Sequence, residues 1–100
     1  MFRRLLSIAL LCAVGAACAA DPAVTPAQSL AATCFNCHGP NGVAVGAIPS
    51  LAGRSAESTI AALTEFKTGK RGGTIMPQIA KGYTDAQIES IAGYFARQKP

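Results

Sequence analysis

The chain has 100 residues, enough for one domain and no more. Nine Lys and Arg against five Asp and Glu give a formal net charge of +4. That excess is too small to argue for nucleic-acid binding. Four cysteines and a single histidine limit what metal or thiol chemistry is available.

Residues 1–20 read as a secretory leader. Phe2-Arg3-Arg4 is basic, Leu5 to Ala17 is apolar and uncharged, and Ala16-Ala17-Cys18-Ala19-Ala20 offers small residues for cleavage after Ala19 or Ala20. The apolar run is short for a transmembrane helix, so no integral membrane segment is expected once the leader is removed. A lipidated Cys18 is the less favoured variant, because Gly15 stands where a lipoprotein signal wants a large aliphatic residue. Export would place the mature chain, residues 21–100, in the periplasm. It would also remove Arg3, Arg4, Cys12 and Cys18. Seven basic residues then face five acids, a balance of +2, and two cysteines remain.

In the mature part, Thr25-Pro26-Ala27-Gln28 is a helix start: a threonine N-cap, proline in the first turn, and glutamine placed for a capping box. Ala27, Leu30, Ala31 and Cys34 fall at i, i+3, i+4 and i+7, so the helix runs to Cys34. It delivers Cys34-Phe35-Asn36-Cys37-His38, a C-x-x-C-H signature for covalent attachment of a c-type haem. Two thiols at this spacing add to the two vinyl groups, and the adjacent histidine is carried under the ring as an iron ligand. The competing readings are a redox dithiol and half of a zinc site. The first lacks a surrounding βαβ pattern. The second needs carboxylates, since His38 is the only histidine. A mature domain of about 80 residues is also marginal on its side chains alone, and an apolar macrocycle would complete its core.

Gly39-Pro40-Asn41-Gly42 stops the first helix, and residues 42–53 form a loop on the histidine side. Two roles are open for Pro49 within it: its carbonyl accepts Nδ1–H of His38 and leaves Nε2 for iron, or the ring only stiffens a turn. Ser55 caps a second helix over residues 56–67, ended by Gly69, with Ile60, Leu63 and Phe66 on its buried side. Met76 then lies in a loop before Pro77 and is the only methionine of the mature chain. It is either apolar filler or the second iron ligand, and the lack of another histidine favours the thioether. Thr84-Asp85-Ala86-Gln87 repeats the capping box. The last helix, residues 85–97, aligns Ile88, Ile91, Ala92 and Phe95, and Gly93 within it is expected to permit a close crossing near Ala31. No strand is expected, so the fold class is all-α.

Taken together, these residues resemble the small bacterial class I cytochromes c. The resemblance rests on Cys34-x-x-Cys37-His38, Pro49-x-Leu51-x-Gly53, Met76-Pro77 and Ile91-Ala92-x-Tyr94-Phe95-Ala96, and it spans the mature chain. It implies three main helices and loops wrapped around one covalent haem c. It further implies His38 and Met76 on iron, the Pro49 carbonyl on His38, and crossed terminal helices. A narrower similarity, carried by Phe66-Lys67-x-Gly69-Lys70-Arg71 and by residues 74–83, points to the haem domains of the cytochrome subunit in flavocytochrome c sulfide dehydrogenase. The expected role is a periplasmic single-haem electron carrier, not an enzyme. The alternative is an electron-accepting subunit of such a complex. The expected partner is a redox protein: a flavoprotein dehydrogenase, an oxidase or a reductase. Lys67, Lys70, Arg71 and Lys81 flank Met76 and form a basic surface, a docking face for an acidic partner or simply a solvated one.

Overall fold

The computed structural model describes residues 23–100, so the expected leader lies outside the described residues. Five helices follow one another: α1 (Pro26–Ala32), α2 (Phe35–His38), α3 (Ala56–Thr68), α4 (Met76–Ala80) and α5 (Asp85–Ala96). No strand occurs among the described residues. α1 packs on α5, and α3 packs on both α5 and α4. The three longer helices therefore enclose the core, and the two short ones carry the chemistry-bearing side chains.

α1 begins where its residues dictate. Thr25 Oγ1 accepts from the Gln28 amide at 3.1 Å, and Pro26 sits in the first turn. The reciprocal bond from the Gln28 side chain is not made, so this end has half of the expected box. The helix also stops earlier than the spacing predicts, at Ala32 instead of Cys34. Thr33 explains the difference. Its hydroxyl donates to the Leu30 carbonyl at 3.0 Å, which is the acceptor the Cys34 amide would otherwise use. The Cys34 amide turns to Ala31 O instead, at 2.9 Å, and the helix tightens for one turn before α2 restarts.

α3 and α5 follow their sequence signals closely. Ser55 Oγ caps α3 through the Ser58 amide, and Gly69 ends it. At α5 both halves of the capping box form: Gln87 N donates to Thr84 Oγ1, and Thr84 N donates to Gln87 Oε1. The face read from the i, i+3, i+4, i+7 spacing is the core: Ile88, Ile91, Ala92 and Phe95 are all at most 1% exposed. Phe95 meets Tyr94 edge-on at 5.3 Å between centroids and Phe35 at 6.2 Å. Gly93 does not serve the crossing. A side chain built there would meet only the Arg97 guanidinium, so α1 and α5 approach without its help, with Ala31 and Ala92 fully buried.

Between α2 and α3 the chain forms a short 3₁₀ turn, Pro40–Gly42, and then a loop without regular structure. It is pinned all the same. Leu51 and Ala52 amides both donate to Gly42 O, at 2.8 and 3.1 Å, and the Gly53 amide donates to Phe95 O at 2.9 Å. Tyr94 adds a fourth tie, its phenol donating to Asn41 Oδ1 at 2.6 Å. Met76, expected in a loop, is instead the first residue of α4. Pro77 beside it has the fixed φ that suits a helix's first turn, and the missing proline N–H costs nothing there.

Candidate cofactor site

The helices leave an apolar cavity of about 860 Å³. Cys34, Cys37 and His38 line it from α2 and its cap, Pro49 and Leu51 from the pinned loop, and Met76 and Ile79 from α4. Leu63, Phe66 and Ile91 supply further apolar wall from α3 and α5. All five residues singled out in the sequence as cofactor-binding thus border one space.

α2 makes the local arrangement. In this single turn the Cys37 and His38 amides both bond to Cys34 O, at 3.3 and 2.9 Å. That turn sets all three side chains on the lining of the cavity. His38 Nδ1 lies 2.7 Å from Pro49 O. A carbonyl oxygen can only accept, so Nδ1 holds a proton and Nε2 is the ring nitrogen left for a metal. Pro49 is itself held in place by the Leu51 and Ala52 amides two and three residues on. Cys34 is half-buried and Cys37 exposed, and no disulfide joins them. Burial pushes the Cys34 thiol up from its ordinary range, and the neighbouring Cys37 adds to the rise.

Zinc is poorly served by these residues. Among the described residues no three His, Cys, Asp or Glu side chains converge, so the cysteine pair finds no carboxylates to complete four ligands. A planar macrocycle fits better. The cavity is large and apolar, its thiols stand at one wall, and nitrogen and sulfur donors line it from two separate segments.

Several residues at the site escaped sequence reasoning. Tyr83 and Thr33 both line the cavity and share a hydrogen bond of 2.7 Å across 50 positions of chain. No periodicity marks such a pair. Thr59 lines the cavity too, but its hydroxyl is buried without a partner, although it lies on a helix whose carbonyls could accept it.

The basic surface is smaller than the sequence suggests. Lys67 pairs with Asp85 at 3.1 Å, and Arg71 pairs with Glu65 at 2.8 Å while stacking over Phe66. Of the four cations, Lys70 and Lys81 make no ion pair among the described residues. No helix among those residues is long and apolar enough to cross a membrane.

An all-α shell around an apolar cavity bordered by C-x-x-C-H defines a c-type cytochrome domain. Residues 21–95 match the family model described as cytochrome C oxidase, cbb3-type, subunit III, and the chain belongs to that family. It is 44% identical over 82 residues to the cytochrome subunit of sulfide dehydrogenase from Chlorobaculum tepidum, covering 77% of this chain and 74% of that one. It is 34% identical over 100 residues to a thiosulfate dehydrogenase electron acceptor from Thiomonas intermedia, covering 98% of this chain and 45% of the relative. A cytochrome c4 structure from Acidithiobacillus ferrooxidans superposes with a TM-score of 0.61 at 43% identity, over 63% of this chain and 37% of that one. The chain therefore spans about three quarters of one of these relatives and less than half of the other two. Haem c with its iron is the cofactor, and the protein's chemistry is electron transfer, not catalysis.

Proposed function

We propose that this chain is a periplasmic single-haem electron carrier. Cys34 and Cys37 would hold the haem as thioethers, and His38 Nε2 and Met76 Sδ would be the donors to its iron. Residues 1–20 act as a leader removed on export. The observation that carries this reading is the His38–Pro49 contact of 2.7 Å, which commits Nδ1 and leaves Nε2 as the donor toward a cavity that Met76 also lines.

Bound there, haem c supplies a one-electron Fe(III)/Fe(II) couple. The chain's own residues do the rest. The Pro49 carbonyl orients the imidazole and raises its basicity. Leu51, Leu63, Phe66 and Ile91 exclude water from the pocket, and low polarity with a thioether donor favours the reduced state. With His38 and Met76 both donating to the iron, the haem would offer no open position to a substrate. Ile48, Ile75 and Ile79 add further apolar wall to the cavity.

The test is direct. The exported protein is expected to carry the mass of one haem and to give a low-spin spectrum in both redox states. A mass without haem, or a high-spin ferric spectrum, would overturn the assignment. The 44% identity to a sulfide dehydrogenase cytochrome subunit favours a second reading, in which the chain accepts electrons within a flavoprotein complex. Co-purification with a flavoprotein at fixed stoichiometry distinguishes the two.

A further inference from the structure

The two sides of the cavity are anchored very unequally. On the imidazole side, the loop carrying Pro49 is tied to Gly42 and Phe95 by backbone bonds, and the 3₁₀ turn before it is tied to α5 by the Tyr94 phenol. On the thioether side, every backbone hydrogen bond made from Gly72 to Tyr83 ends within that same stretch: Gln78 and Ile79 to Ile75, Lys81 to Pro77, Gly82 to Ile79, Tyr83 to Ala80. Among the described residues, no side chain from Gly72 to Gly82 makes a hydrogen bond at all. Packing of buried Ala80 and of α4 on α3 holds the middle of the segment. The polar tie falls at its end, where Tyr83 reaches Thr33.

The direction of that bond can be deduced. Thr33 has one hydroxyl proton and gives it to Leu30 O at 3.0 Å. The 2.7 Å contact to Tyr83 must then be made by the phenol proton, with Thr33 Oγ1 accepting. Thr33 directly precedes Cys34, so the bond joins the thiol-bearing segment to the one that begins with Met76. Tyr83 itself is well placed to transmit the restraint. Its ring packs on the core, and Thr84 beside it opens the full capping box of α5.

We propose that the Tyr83–Thr33 hydrogen bond is a latch across the cavity and that Tyr83 is a positioning residue for the Met76 thioether. The proposal rests on Met76 being an axial ligand. With the latch closed, the segment from Gly72 to Gly82 cannot swing its sulfur away from the iron without breaking a bond made at its far end. With it open, packing alone opposes departure of the sulfur, and an added ligand competes more effectively.

Imidazole binding to the ferric haem-bearing protein reads this out, since imidazole occupies the position the thioether vacates. Tyr83→Phe keeps the ring and its packing but loses the phenol, and it is expected to raise imidazole affinity about fivefold. Thr33→Val should act alike, and the double variant should do no more than either single one if both act through one bond. Thr33→Ser keeps the hydroxyl and should restore wild-type affinity. Wild-type imidazole affinity in Tyr83→Phe would overturn the latch. Met76→Ala separates this failure from failure of the underlying reading: an unchanged ferric spectrum in that variant would remove thioether ligation, and the latch with it.

Discussion

Replacing Met76 by alanine is expected to lower the reduction potential by on the order of 0.1 V and to open the ferrous protein to carbon monoxide. The reasoning starts from donor softness. A thioether is a soft donor that suits Fe(II) better than Fe(III), so its removal costs the reduced state more. The chain has one histidine, and Met1 belongs to the expected leader, so no second imidazole or methionine can stand in. Alanine also removes a half-buried side chain that packs on the core, which by itself costs about 2 kcal/mol or more. Met76→Leu separates the two effects, because it keeps most of the volume and loses only the sulfur. Both variants should show the same fall in potential in a redox titration, and only alanine should lose much stability. A leucine variant with the wild-type potential and spectrum would assign Met76 to the core alone.

How far these features were legible from the chain depends on how local their causes are. The C-x-x-C-H turn, the two threonine caps and the buried face of α5 are set by residues within a few positions of one another, and spacing exposes them. Met76 stood out by elimination, since few other donors are present. The early end of α1 also has a local cause, but one that competes with periodicity. The Thr33 hydroxyl takes the Leu30 carbonyl, and an apolar pattern running on to Cys34 conceals it. Gly93 was misread for the opposite reason. A glycine in a helix suggests a close neighbour, yet the neighbour depends on the crossing geometry, and here none is within reach but Arg97. The ties Tyr83–Thr33 and Tyr94–Asn41 join positions 50 and 53 apart. They exist only once α5 has brought the far ends together, and no local pattern encodes them.

The imidazole side should prove rigid under mutation up to one point, Gly42, where a single methyl group is expected to cost about 3 kcal/mol or more. Two effects combine there. Gly42 has φ +82°, a left-handed conformation that costs an L-residue about 1 kcal/mol. A Cβ would also lie 2.7 Å from Phe95 Cδ1, 2.8 Å from Cε1 and 3.0 Å from the Ala52 amide nitrogen. Neither neighbour can yield cheaply. Phe95 is fully buried and braced by Tyr94 and Phe35, and the Ala52 amide is already bonded to Gly42 O. Relief must come from the backbone, by moving the loop that carries Pro49 away from His38. Gly42→Ala should therefore lose stability in chemical denaturation and also speed solvent exchange of the His38 Nδ1 proton. Gly46→Ala is the matched control: its φ is +92°, but nothing lies within 4 Å of the new Cβ, so only the backbone strain of about 1 kcal/mol applies. If the two variants lose the same stability, the packing of Gly42 beneath Phe95 does not hold the loop against the imidazole.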